Sequence, residues 1–391
     1  MVLTFLNLVV VSGLLVGLIT GSYDQYRESF SGDVIITPAN NKDHIENSPA
    51  LIRLLEAHPY VEVVSPRYGV GAQVLGTLDD LPDKDASPNQ VSARISGIDP
   101  LAEEKLSRFS RFVKYGQPLS ADQEGYILIG ANLLKKYSSF ADANIPGLTL
   151  LEKVDIGSKV RVDITTEDGP VRKIFIVKGI VKSKIDEIST RMFVLDREVK
   201  RLLPVNKDEV QEIAIKTKPL KDLVLVSELK QFMGDYQARI QTSQEAIPSF
   251  LRDIESTMSI LGNALSSFAL VVAAITVFIV IFINAVTKRK FIGIMKGIGI
   301  SPRAIQVAYV IQALFYGVVG STIGLALTFG FLEPFFRNNP IDFPFSDGIL
   351  AVTASGAMIR VAILLVVTIF AGYLPATLIV RKNTLDSILG R

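Results

Sequence analysis

The stretch TKRKFIGIMKGIGISPR, residues 287–303, carries Lys288, Arg289, Lys290, Lys296 and Arg303 and no acidic residue. Before it, 264–286 runs for twenty-three residues without a charge, and after it 304–332 has none until Glu333. A helix needs about 20 apolar residues to cross roughly 30 Å of hydrocarbon. Both flanks therefore read as membrane spans joined by a short basic loop. Residues 361–380, between Arg360 and Arg381, give another span. Residues 2–19 are eighteen without a charge, and read as a marginal one.

That first stretch reads as an uncleaved helix. A secretory signal peptide needs a basic start and a small-residue cleavage site. Nothing basic precedes Val2, and Gly21-Ser22-Tyr23 is a poor cleavage site. The missing basic flank is itself irregular for a span, and a native start further upstream would remove the irregularity.

Lys and Arg mark the cytoplasmic side of short loops. The 287–303 loop is basic, as is the tail with Arg381, Lys382 and Arg391, whereas the loop holding Glu333, Arg337, Asp342 and Asp347 is net acidic. Both basic segments, and both termini, are thus expected in the cytoplasm. The roughly 240 residues between the first two spans are then expected outside the cell membrane.

The whole chain agrees with this segregation. It has 391 residues, 49% hydrophobic and only 20% charged, with a mean hydropathy of +0.36. Its net charge of +2 gives no field calling for nucleic acid. There is no cysteine, which excludes disulfides, thiolate metal sites and cysteine nucleophiles, and His44 and His58 are the only histidines.

The large segment reads as mixed α/β. Strand patterns fall at 33–37, 61–65, 91–98, 126–129, 159–165, 173–181 and 212–217, and helical ones at 49–57, 100–109, 131–137, 197–203 and 220–232. A loop dense in Asp, Pro and Ser spans 78–89. The length suits two subdomains, with a boundary expected near 110–122. No nucleophile elbow or zinc-binding His pair occurs. The two histidines read as surface or capping residues. Glu103-Glu104 and Asp186-Glu187 read as solvated faces. No phosphate-cradling Gly-rich loop occurs, so any ATP chemistry must come from a partner.

Apolar residues recur at Ile247, Phe250, Leu251, Ile254, Met258 and Leu261 in helical spacing, running unbroken into the second span. This predicts a stalk. Gly13, Gly17 and Gly21 in the first span, and Gly317, Gly320 and Gly324 in the third, predict close helix packing. Among polar residues in the spans, Asn284, Gln312 and Tyr316 are few and uncharged, so no proton or ion path is expected. The basic loop reads as amphipathic, with Ile292, Met295 and Ile298/Gly299 on one side. It suits either an interfacial helix on anionic lipid or a docking helix for a soluble partner.

Lys290, Ile292-Gly293-Ile294, Met295, Lys296, Ile298-Gly299 and Ser301 resemble the loop of FtsX-like, MacB-type permeases of ABC transporters. In that family a basic and an acidic residue precede Ile-Gly-Ile-Leu-(Lys/Arg)-Ala-Ile-Gly-Ala-Ser. Phe291 stands where the family commonly has Glu, and Gly297 and Ile300 where it commonly has Ala. Ser96-Gly97-Ile98-Asp99-Pro100 resembles a turn of the lipoprotein-releasing permeases. So do residues 125–130, 156–160 and 175–180, in order and spacing.

The resemblance implies an α-helical membrane domain of four transmembrane helices, with a large extracytoplasmic α/β domain, a MacB-type core, inserted between helices 1 and 2. The divisions would be 1–21, 22–246 and 247–391, with later spans near 262–286, 304–332 and 359–380. It implies a docking helix for a separate cytoplasmic ABC ATPase, formed by Lys290, Phe291, Ile292, Gly293, Met295, Lys296, Ile298 and Gly299. ATP and Mg would be held by that ATPase, with no cofactor, metal or catalytic residue on this chain. A second permease, an extracytoplasmic adaptor or substrate protein, and membrane lipids are the other implied partners. The function implied is mechanical coupling of ATP hydrolysis to export or extraction of a lipoprotein, lipid or periplasmic substrate. A non-transporting regulator of an extracellular cell-wall hydrolase or sensor stays open as an alternative, and a membrane-anchored enzyme is a third reading.

Overall fold

The computed structural model describes residues 1–39, 42–76, 89–142, 149–166, 169–203, 208–233, 238–343, 347–348 and 350–380. The loop at 78–89, apart from Asn89, and the basic tail from Arg381 onward lie outside them. The chain forms two compact units, 23–248, and 1–22 with 249–391.

Helix α1, Val2–Tyr26, runs into a π turn, Arg27–Ser31, that stops at Gly32. Gly32 has φ +65°, and a Cβ there would meet the Ile215 carbonyl oxygen at 2.5 Å, so a side chain is excluded. The α/β unit then runs β1 (Val34–Pro38), α2 (Ser48–Glu56), β2 (Val61–Leu75), β3 (Gln90–Ile98) and α3 (Pro100–Ser107). Next come β4 (Val113–Gly116), β5 (Tyr126–Gly130), β6 (Lys159–Thr166), β7 (Gly169–Val181), α4 (Asp186–Ser189) and β8 (Arg191–Leu195). It ends with α5 (Asp196–Leu202), β9 (Glu212–Thr217), α6 (Asp222–Met233) and β10 (Ala238–Thr242).

The strand order is β10-β1-β9-β2-β3-β8-β5-β7-β4, and β6 pairs with both β2 and β7. The pairings therefore close a ring of six strands, β2-β3-β8-β5-β7-β6, which leaves no open edge among them. β10, β1 and β9 extend from it as an arm. Strand β2 belongs to both. Its residues 61–67 pair with β9, and 68–75 pair with β3. The change of partner thus falls inside β2, and not near 110–122, where β4 is laid onto β7. One continuous apolar cluster, including Ile36, Leu55, Ile95, Phe175 and Ile215, fills the interior.

Most strands follow the alternation in the sequence, as in β6, where Val160, Val162 and Ile164 are buried and Lys159 and Thr165 exposed. Residues 131–137 do not form a helix. Only Ala131–Leu133 makes a 3-10 turn, because Leu134 and Leu151 form an isolated β-bridge. The expected solvated Glu103 is also wrong: it is 1% exposed and ion-paired.

In the other unit, α7 (Ser249–Thr287) is one uninterrupted helix of 39 residues, close to 60 Å at 1.5 Å per residue. It is followed by α8 (Arg289–Gly297) and α9 (Pro302–Leu327), which passes through a π turn, Thr328–Leu332, into α10 (Glu333–Asn338). A two-residue pairing of Ile341–Asp342 with Asp347–Gly348 precedes α11 (Ala354–Val380), which packs on both α7 and α9. Among the described residues, four helical stretches, beginning at Val2, Ser249, Pro302 and Ala354, are long and apolar enough to cross a membrane. The protein is a multi-pass membrane protein.

Candidate docking helix

Ala269, Ala273, Val277, Ile281 and Ala285 are buried at intervals of four along α7, which is the face this helix turns to its neighbours. Most of its other apolar residues, such as Phe268, Val272, Ile275 and Ile283, are exposed, as a lipid-facing helix requires. Of the stalk residues, Leu251, Ile254 and Met258 share a half-buried face, while Phe250 and Leu261 are exposed.

Gly13, Gly17, Gly320 and Gly324 are all buried. A Cβ on Gly13 would stand 2.6 Å from Val352, and one on Gly320 would stand 2.6 Å from Met1. A Cβ on Gly324 would run into the ring of Phe5. The absence of side chains thus lets α1 lie against α9. Beside Gly13, whose carbonyl accepts from the Ala351 N–H at 3.1 Å, the guanidinium of Arg360 donates to the Ser12 hydroxyl.

Helix α8 begins after Lys288 and ends in a turn built on Gly299, with φ +93°. The Gly299 N–H donates to Lys296 O at 3.1 Å and the Ile300 N–H to Met295 O at 3.0 Å. These are the two hydrogen bonds of a Schellman cap, which favours Gly in the left-handed position. Ser301 then caps α9 by accepting from the Ala304 N–H at 3.3 Å, and Pro302 occupies its first turn. Caps therefore fix both the end of α8 and the start of α9.

The face expected to carry Ile292, Met295 and Ile298/Gly299 is divided. Ile292, 2% exposed, and Gly293 are buried, with Ile292 packed among Ala285, Ile305, Tyr309, Ile379 and Val380. Met295 packs partly on the same cluster, and the ammonium of Lys296 donates to Val380 O at 3.0 Å. The outward apolar residues are Phe291, Ile294 and Ile298, at 67%, 52% and 74% exposure. Lys288, Lys290, Gly299 and Arg303 are exposed beside them. The sequence holds both apolar sets at helical spacing in nine residues. The 291, 294, 298 spacing was the signal for the outer face. Only the packing of α9 and α11 decides between the two sets.

A charged cluster that sequence reading missed lies where β2 changes partner. Arg67 donates from Nε to Glu103 Oε1 at 2.5 Å and from Nη2 to Phe30 O at 2.8 Å. The Ser65 hydroxyl donates to the same Glu103 oxygen at 2.8 Å. Arg191 donates to both oxygens of Glu212 at 2.9 and 3.0 Å. The Phe30 ring lies between the Arg67 and Arg191 guanidiniums, 4.6 and 4.8 Å from its centre. Burial pushes the Glu212 carboxyl up, but Arg191, Arg67 and Arg94 outweigh it and hold the group below its ordinary value. His44 and His58 pair with Glu209 and Glu228, and no cluster able to hold a metal occurs among the described residues.

Residues 263–384 match the family model of the FtsX-like permease C-terminal domain. That segment is similar to the C-terminal domain of FtsX-like permeases. It contains most of α7 and all of α8, α9 and α11. An uncharacterized ABC transporter permease of Methanocaldococcus jannaschii is 25% identical over 160 residues, which span 40% of this chain and 40% of that protein. The matched stretch therefore covers about two fifths of that relative's length. Two solved structures share 16% and 12% identity with this chain. They are the periplasmic region of MacB from Actinobacillus actinomycetemcomitans (TM-score 0.36, 57% of this chain and 94% of that one) and the extracellular domain of the ABC-type transporter YknZ from Gram-positive bacteria (0.33, 54% and 98%).

Proposed function

We propose that this chain is the permease subunit of an ABC transporter whose ATPase is a separate cytoplasmic protein that seats on α8. The observation that most supports this is the division of α8. Its inner face is locked into the bundle, while Phe291, Ile294 and Ile298 stand outside beside exposed Lys288, Lys290 and Arg303. An exposed apolar patch rimmed by charge is the character of a protein-binding site. ATP and Mg would be bound by the ATPase. Closure of two ATPases in an assembly of two permeases would press on α8, and the 39-residue α7 would carry the movement past the bilayer. By the distribution of Lys and Arg, the α/β unit lies outside, where it would act on a lipoprotein, lipid or periplasmic substrate.

The test replaces Phe291 and Ile294 together by Asp in the full chain, expressed with its ATPase. The ATPase should no longer copurify, while the thermal transition of the permease stays within a few degrees of the parent, as expected for exposed sites. Copurification that survives the double change would overturn the docking assignment.

A further inference from the structure

A cleft of about 380 Å³ in the α/β unit lies between the π turn after α1, the end of α3 and strand β9. Five cations line it, Arg27, Lys105, Arg108, Arg111 and Lys216, against two acids, Glu28 and Asp33. Asp33 is already engaged. Arg27 Nε donates to its Oδ1 at 2.7 Å, and the Thr217 N–H and hydroxyl donate to its Oδ2 at 2.8 and 3.3 Å. Arg111 is held in place, donating to the Ser29 hydroxyl at 3.3 Å and lying over the Phe112 ring. Lys105, Arg108 and Lys216 are exposed and have no carboxylate within ion-pair distance among the described residues. Arg108 holds its place in the left-handed region, φ +52°, where Gly would end α3 with less strain.

Like charges gathered without counterions repel, and the repulsion is relieved by a bound anion. In a chain whose net charge is only +2, this concentration is local. Arg27 follows Asp24, the first charge after the uncharged N-terminal stretch, by three positions. We infer that this cleft binds a phosphate group, held by Lys105, Arg108, Lys216 and Arg111. The phosphate would come from an anionic phospholipid headgroup at the membrane surface or from a free phosphate in the medium. The site is separate from α8 and does not depend on the ATPase.

The test uses the full-length protein and its Lys105→Ala/Arg108→Ala/Lys216→Ala variant. All three side chains are exposed, so the variant should fold, and an unchanged thermal transition checks that it does. In the first arm both proteins are reconstituted with phosphatidylcholine containing phosphatidylglycerol, and native mass spectrometry weighs the phosphatidylglycerol retained. In the second, radiolabelled inorganic phosphate is titrated onto delipidated protein. Loss of at least roughly tenfold in retention by the variant is expected in one arm. In the first arm it assigns the lipid headgroup, and in the second the free anion. Glu28→Ala, which removes the remaining acid, should tighten the same binding. Equal binding by parent and triple variant in both arms overturns the site.

Discussion

The Lys296 ammonium of α8 donates to the carbonyl oxygen of Val380 in α11 at 3.0 Å. A hydrogen bond from an ammonium to a carbonyl is charge-assisted and stronger than one between neutral groups. Lys296 therefore belongs to the bundle and not to the outer surface of α8. Replacing it by Ala should lower stability by about 1–3 kcal/mol. Arg should keep much of it. Thermal unfolding of the detergent-solubilised chain measures both, and an Ala variant as stable as the parent would show that the contact contributes nothing.

Gly324 and Phe5 make a second test. Gly324→Ala places a methyl on the Phe5 ring, and overpacking of this kind costs about 1–3 kcal/mol. Phe5→Ala made in the same chain should recover part of that loss, because the two residues are in direct contact. A double-mutant cycle read by thermal unfolding would show the coupling; strict additivity would mean that α1 and α9 do not meet there.

Arg67→Met leaves Glu103 and Glu212 buried and short of a counter-charge. One broken buried pair of this kind costs about 3–5 kcal/mol. The transition of the α/β unit should fall sharply, and far more than for Lys135→Ala, whose partner Glu152 is as exposed as it is. Equal losses in the two variants would contradict the burial of the network.

The same groups set the response to acid. Glu212 is held below its ordinary value by three arginines, and Asp155 is lowered to about 2 by hydrogen bonds from Lys136, Tyr137 and the Ile156 N–H. A carboxyl depressed on folding stabilises fully above its unfolded value, and the gain disappears as pH falls through the folded one. Stability should therefore be flat near neutrality and decline from about pH 4 toward 2. Asp155→Asn should make the lower end of that decline shallower, as read from unfolding midpoints across pH.

Because the chain contains no cysteine, single substitutions report sidedness directly. Cys at Lys290 should resist a membrane-impermeant thiol reagent in intact cells, and Cys at Glu62, exposed in β2, should react. The opposite pattern would reverse the orientation.

The spans, the unbroken helix from Ser249 onward and the packing glycines were legible because uncharged length and small-residue spacing are local signals. β9 was read to the residue, since its bounding turns are explicit. β2 was read only to Ser65, because Pro66, Gly69 and Gly71 look like breakers. They stand instead where, or just after, the strand passes from one partner to the next. The short β8 and β10 were missed, as five-residue runs carry little pattern. The division of the expected Ile292, Met295 and Ile298 face was not legible, because both sides of α8 are apolar and the choice belongs to helices remote in sequence. Glu103 looked like half of a solvated pair, since its partner Arg67 lies 36 positions away.

The double membership of β2 has a mechanical consequence. Its antiparallel hydrogen bonds to β9, β3 and β6 lie across the strand. A pull along β2 stretches them all at once, in shear, while a pull at right angles would open them one by one like a zipper. Tension directed along this strand would thus load its bonds to arm and ring together, so that both move before either tears apart.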